Sequence, residues 1–258
     1  MIDTHTHLYL PDYGEDKCAA VDRALSSGVT MMVLPGVDAD SIAPIRELHS
    51  LRPEATAMCA GLHPTEIHPE NWRSHFEKIE SELRSHPDEY VAIGEMGLDL
   101  YWDQSTLKMQ FEAAEAQLDL ADKLNLPVVI HCREAMSQML DLMQARAGQL
   151  PNMVFHCYSG TGDDISRLRR LLPDVKFGIG GVVTFKKSRL PELLPIIGIN
   201  HILLETDAPW LAPVPMRGKQ NESAYIPYIA ARIASELNLP IEQVDEITTA
   251  SAREFFRM

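Results

Sequence analysis

Residues 90–131, YVAIGEMGLDLYWDQSTLKMQFEAAEAQLDLADKLNLPVVIH, hold one strand–helix–strand unit. Tyr90 to Glu95 is a short apolar run that closes on a carboxylate, and Pro127 to His131 is a second that closes on an imidazole. Between them, from Ser105 to Asn125, Leu107, Phe111, Ala114, Leu118 and Ala121 recur at helical spacing and so line one stripe of a helix. Two short apolar runs joined by a long amphipathic helix read as parallel strands with a crossover.

The same unit repeats along the chain. Apolar runs from Met1 to His5, Val29 to Leu34, Thr56 to Leu62, Met153 to His156, Val175 to Ile179 and Ile202 to Glu205 bring the strand candidates to eight. Eight units in 258 residues predict an α/β fold of the (β/α)8 TIM-barrel type, which commonly takes about 250 residues. No GxGxxG or GxxxxGK[ST] follows the first strand, which removes the dinucleotide-binding and Walker-type readings of an open sheet. Two further helices, Ala224 to Leu237 and Ile241 to Phe256, are expected to be the last barrel helix and a C-terminal cap. Without a linker, repeat or low-complexity tract, residues 1–258 read as one domain.

The composition, 45% hydrophobic and 23% charged, supports a sizeable core. Cys18, Cys59, Cys132 and Cys157 lack CxxC spacing and read as reduced thiols. No apolar run approaches the ~20 residues that span a bilayer, and MIDTHTHLYL carries no basic segment followed by an apolar stretch of signal-peptide length. A cytoplasmic protein without membrane association or an obligatory protein partner is expected. The net charge of −14 argues against a broad basic face that grips duplex DNA, and leaves room for transient processing of a strand end.

A barrel of this type works at the C-terminal ends of its strands. There the sequence places His5-Thr6-His7, Gly61-Leu62-His63-Pro64, Gly94-Glu95, His131-Cys132-Arg133, His156-Cys157 and Glu205-Thr206-Asp207. Side chains two apart on a strand share a face, so His5 and His7 can share one metal. Four histidines and two carboxylates gathered in one barrel mouth are costly unless cations compensate them. Imidazole and carboxylate together suit zinc, manganese or related ions, and six ligands, His5, His7, Glu95, His131, His156 and Asp207, are natural for two divalent ions.

The ordered set HTH, GLHP, GEMGLD, HCRE, FHCYSG, TDAPWLAP and RGKQNES resembles the TatD family of metal-dependent deoxyribonucleases over nearly the whole chain. The resemblance implies an amidohydrolase-like barrel in which His5, His7, Glu95 and Asp207 hold one ion and Glu95, His131 and His156 the second, with Glu95 bridging. It implies two divalent ions (Zn²⁺, Mn²⁺ or Mg²⁺) and a DNA substrate, single-stranded or end-frayed, cleaved at strand ends or damaged sites. Met96 and Leu100 depart from the family's usual residues without removing a ligand.

Two such ions would lower the pKa of a bound water for attack on phosphorus. Asp207 is then the expected general base, and His63 the donor to a phosphate oxygen or the leaving group. Arg133 and Arg217, with Lys186, Lys187 and Lys219 nearby, are expected to meet phosphate. Tyr101, Trp102 and Trp210 are placed where they could stack on bases, and Trp210, after Pro209, equally reads as core packing. Cys132 and Cys157 are expected to turn toward the helices, and Asp99 and Glu222 to order loops. The ligand pattern alone equally allows an ester or amide hydrolase, such as a deacylase of aminoacyl-tRNA or a lactonase.

Overall fold

The computed structural model describes residues 1–258 apart from the side chain of Glu15. Eight parallel strands, β1 (Ile2–Asp3), β2 (Met31–Leu34), β3 (Thr56–Ala60), β4 (Tyr90–Asp99), β5 (Val128–Arg133), β6 (Met153–Phe155), β7 (Lys176–Ile179) and β8 (Ile202–Leu204), follow one another in sequence order in a single sheet. Helices α1 (Lys17–Ser26), α2 (Ile42–Leu51), α3 (Trp72–Ser85), α4 (Leu107–Leu124), α5 (Met136–Ala145), α6 (Gly162–Leu171), α7 (Leu190–Ile197) and α8 (Ile226–Leu237) follow the strands in turn, and α9 (Ile241–Phe256) ends the chain. β8 returns to β1: Thr4 N–H donates to the Leu204 carbonyl at 2.9 Å and Asp207 N–H to the His5 carbonyl at 2.9 Å. This is the expected (β/α)8 barrel.

The chain gathers into two compact units. One comprises residues 1–34, 44–57 and 176–258, and the other residues 35–43 and 58–175. In the first, β1 pairs with β2 and β7 with β8, around a core that includes Leu8, Val33, Phe177, Leu203 and Phe256. In the second, β4 lies between β3 and β5, and Met58, Ile93, Leu98, Ile130 and Phe155 are buried.

Local chemistry sets the helix ends. Asn125 and Asn238 close α4 and α8 in the left-handed conformation that asparagine adopts more readily than most residues. Thr161 and Asp164 form a reciprocal capping box at the start of α6.

The buried face of α4 differs from the apolar stripe read in the sequence. Leu107 and Phe111 are only part-buried, whereas Gln110 and Gln117 are fully enclosed. Each glutamine clamps a backbone where a strand stops. Gln110 Oε1 accepts from Asp99 N–H at 2.8 Å while its Nε2 donates to the Asp99 carbonyl at 2.9 Å. Gln117 does the same for Leu62, at 2.8 and 3.1 Å. Strand ends turning into loops leave buried peptide groups without ladder partners, and a primary amide supplies one donor and one acceptor together.

Substituting Gln117→Leu removes both partners of the buried Leu62 peptide groups. The expected loss is about 2–5 kcal/mol of stability, read as a lower midpoint in urea, and an unchanged midpoint would mean that the clamp carries no energy.

Candidate metal centre

In the first unit the site begins at Asp3. Its buried carboxylate accepts from Thr206 Oγ1 at 2.6 Å, Thr206 N–H at 3.0 Å and His5 N–H at 3.3 Å, tying the chain after β1 to the chain after β8. Burial lifts this carboxyl to about 6, against bonds that include those from Ser223 and Thr206. Beyond it, Thr6 bridges Ala208, so His5 and His7 fall on one side of the extended chain. Their Nε2 atoms lie 3.1 Å apart, and Asp207 Oδ1 is 3.9 Å from the first and 3.7 Å from the second. His7 Nδ1 meets the Tyr9 hydroxyl at 3.0 Å.

Asp207 occupies the left-handed region (φ 55°), where aspartate is among the better tolerated residues. Asn221 secures this loop: its buried Nδ2 donates to the carbonyls of Thr206 and Trp210, at 2.8 and 2.5 Å. Glu205, two residues earlier, is buried where Gly178 offers no side chain, since a Cβ there would run into its carboxylate. One of its oxygens lies within 4.8 Å of a His5 ring nitrogen.

In the second unit, Glu95 Oε1 is a hub. His156 Nε2 lies 2.7 Å from it, His131 Nδ1 2.9 Å and His63 Nε2 3.3 Å. The β4–β5 register shifts between Ile93 and Met96, then sets Gly97 beside His131 and Asp99 beside Arg133. Gly97 has φ 146° and no room for a Cβ against the His131 carbonyl. On the far side of the ring, Asp99 Oδ2 accepts from His131 Nε2 at 2.8 Å. The other oxygen, Oδ1, accepts from the backbone of Tyr101 and Trp102, at 2.9 and 3.1 Å.

These bonds fix tautomers. With Nε2–H given to Asp99, a neutral His131 turns the Nδ1 lone pair toward Glu95, and His156 Nε2 stands 3.4 Å from that same nitrogen. Lone pairs facing a carboxylate repel unless a proton or a cation lies between them, so the donor set fits a divalent ion on Glu95, His131 and His156. Burial works against a charged His131, but its bonds to Asp99 and Glu95 outweigh this and raise its pKa. Burial likewise works against the Asp99 carboxylate, and bonds from His131, Trp102 and Tyr101 hold its pKa below the ordinary value.

His63 is arranged differently. Thr65 N–H donates to its Nδ1 at 3.2 Å, which leaves the proton of the neutral ring on Nε2. Burial lowers its pKa, against the pull of the Glu95 charge. Its Nε2 is thus a hydrogen-bond donor rather than a ligand, although His63, Glu95 and His131 cluster closely.

The sequence alone marks Asp99 only as a loop-ordering residue. It does order the loop, and it also holds His131. The structural parts played by Glu205 and Asn221 are not legible in the sequence, although both stand in the motifs TDAPWLAP and RGKQNES or directly beside them. Glu222 pairs with Arg23 of α1 at 2.7 Å, an ordering contact as expected. Arg133 is exposed and lies over the Tyr101 ring, 3.6 Å from its centroid, while Arg217, also exposed, lies over Phe185 at 3.9 Å. Lys186, Lys187 and Lys219 are exposed. Trp210 is half exposed, with its ring edge-on to His7 at 5.4 Å.

Cys132 lies on β5 between His131 and Arg133, and burial pushes its thiol up to about 12. Cys157 stands past the end of β6 in a turn with φ 43°, so strand alternation does not reach it. All four cysteines are free thiols. No described helix is long and apolar enough to cross a membrane.

A parallel (β/α)8 fold with histidine and carboxylate clusters at its strand ends has the donor set of a metal-dependent hydrolase. The chain belongs to the TatD family: the family model described as TatD related DNase matches residues 2–257. It is similar to an uncharacterized metal-dependent hydrolase, YabD, of Bacillus subtilis, at 32% identity over 100% of this chain and 99% of that protein. It is also similar to the 3'-5' ssDNA/RNA exonuclease TatD of Pantoea vagans, at 33% identity over 100% of both chains. Among solved structures, the TatD homolog YJJV from Escherichia coli superposes with a TM-score of 0.92 at 26% identity, covering 100% of this chain and 98% of that one.

The two faces of β5 predict different outcomes. Asp99→Ala, which releases His131 without removing it, is expected to weaken metal binding on the order of 10- to 100-fold, while Cys132→Ala keeps the wild-type metal content. Metal titration followed by elemental analysis reads both, and metal loss in Cys132→Ala but not in Asp99→Ala would invert the strand register.

Proposed function

We propose that this chain is a divalent-metal-dependent exonuclease that removes nucleotides from the ends of single-stranded or frayed DNA. The observation that carries the reading is the Glu95 cluster, in which His131 is held by Asp99 so that its Nδ1 and His156 Nε2 face one carboxylate oxygen. The family pattern supports assigning His131 and His156 to one ion and His5, His7 and Asp207 to a second, with Glu95 shared. When bound, the ions supply Lewis acidity to the scissile phosphate and lower the pKa of the attacking water.

The chain's own residues then have distinct tasks. Asp207 takes the proton from the attacking water. His63, with its proton on Nε2, donates to a phosphate oxygen or to the leaving oxygen. As water bonds to phosphorus, the bond from phosphorus to the penultimate nucleotide's 3'-oxygen breaks, and a 5'-mononucleotide leaves. The relatives named 3'-5' ssDNA/RNA exonuclease support this polarity. Arg133 and Arg217 steady the flanking phosphates, and a cytoplasmic setting accords with this substrate.

Metal-loaded protein is expected to bind close to two ions per chain and to shorten 3'-ends of labelled single strands faster than blunt duplexes, leaving a carbonyl ester untouched. Exhaustive chelation is expected to abolish the cleavage, and Mn²⁺ or Mg²⁺ to restore it. Full activity after chelation, or hydrolysis of the ester without cleavage of DNA, would overturn the reading.

A further inference from the structure

The turn after β4 holds two aromatic rings in solvent. Tyr101 is 48% exposed and Trp102 69%, the largest exposure among the large apolar side chains described. Isolated exposed rings are ordinary, but these two are neighbours, edge to face with centroids 4.9 Å apart. Their backbone is not loose. Asp99 Oδ1 takes the N–H groups of both residues, Gln104 Nε2 donates to the Leu100 carbonyl at 3.2 Å, and Asp103 caps Ser105 N–H at 2.8 Å.

The register adds a cation. Asp99 pairs with Arg133, and Leu100 N–H donates to the Arg133 carbonyl at 3.0 Å, so the residues after β4 run alongside the end of β5. The Arg133 guanidinium covers the Tyr101 ring at 3.6 Å from its centroid and stands 5.7 Å from that of Trp102. Arg133 thereby fills the space over Tyr101, and Trp102 keeps the more open surface. The same Asp99 that fixes this turn holds His131 through its second oxygen. The platform and the candidate ligand share one anchoring side chain.

We propose that Trp102, backed by Tyr101 and Arg133, is a stacking platform for an unpaired nucleobase of one of the two nucleotides flanking the scissile phosphate. The proposal rests on the nuclease reading above and names the group by which the substrate strand is held. Aromatic faces bind bases without regard to sequence, and a guanidinium beside them meets the adjoining phosphate. Stacking requires no net positive charge, which suits a chain of net charge −14.

The experiment compares a single-stranded oligonucleotide with versions in which a tetrahydrofuran abasic residue replaces each flanking nucleotide in turn, on metal-loaded protein. Wild type is expected to lose on the order of 10-fold in kcat/KM when the stacked base is missing, mostly through KM. In Trp102→Ala that penalty is expected to shrink to about twofold or less, in Trp102→Phe to survive in large part, and in both variants the metal content to equal that of wild type. A wild type indifferent to the missing base, a Trp102→Ala protein that keeps the full penalty, or one that loses metal would overturn the platform alone. A wild type that cleaves none of the oligonucleotides would overturn the nuclease reading and the platform with it.

Discussion

Two imidazole nitrogens aimed at one oxygen of Glu95, with the far side of one ring tied to Asp99, form the constraint on which the second unit is built. Such an arrangement is expensive to assemble. Buried ionisable groups need partners, and lone pairs that face one another need a cation between them. The fold meets that cost by removing freedom from these side chains beforehand. Asp99 sets the His131 tautomer, Gln110 holds both peptide groups of Asp99, and Gly97 lets β4 lie against the His131 backbone. The first unit follows the same logic around Asp3, which joins the ends of β1 and β8 through Thr206, and around Asn221, which fixes the loop carrying Asp207. In both units a buried polar side chain behind the candidate ligands fixes the backbone that presents them.

That division explains what the sequence discloses. The barrel is legible because each strand is a short apolar run and each helix a long amphipathic one, and α9 begins and ends at Ile241 and Phe256 as its periodicity indicates. The histidines are legible because they close those runs. Asp99 is harder: its bond to His131 depends on a register shift between Ile93 and Met96, which no local pattern announces. β4 accordingly runs on to Asp99, four residues past the end of its apolar run. Gln110 and Gln117 mislead in the opposite sense, since polar residues on an amphipathic helix ordinarily mark the solvent face. Their burial is set by peptide groups on other elements, Asp99 and Leu62, which periodicity within α4 does not contain. Glu205 belongs with them, because its place depends on the absent side chain of Gly178 on β7.

The acidity of the chain bears on which nucleic acid it can hold. A duplex presents phosphates on its outside and keeps its bases stacked within, so a protein that binds it must offer many cations. This chain has 23 lysines and arginines against 37 aspartates and glutamates. The two arginines assigned to phosphate lie over aromatic rings, Arg133 over Tyr101 and Arg217 over Phe185. A single strand or a frayed end is different, because its unpaired bases are free to leave their neighbours and stack on a ring. On the proposed reading the favourable energy would come from π-faces and from ions confined to the site, both of which act over short distances and tolerate a negative surface around them. A preference for unpaired ends would then need no separate duplex-excluding element: it would follow from joining an acidic surface to an exposed tryptophan, with the scissile phosphate left as the place where charge is compensated.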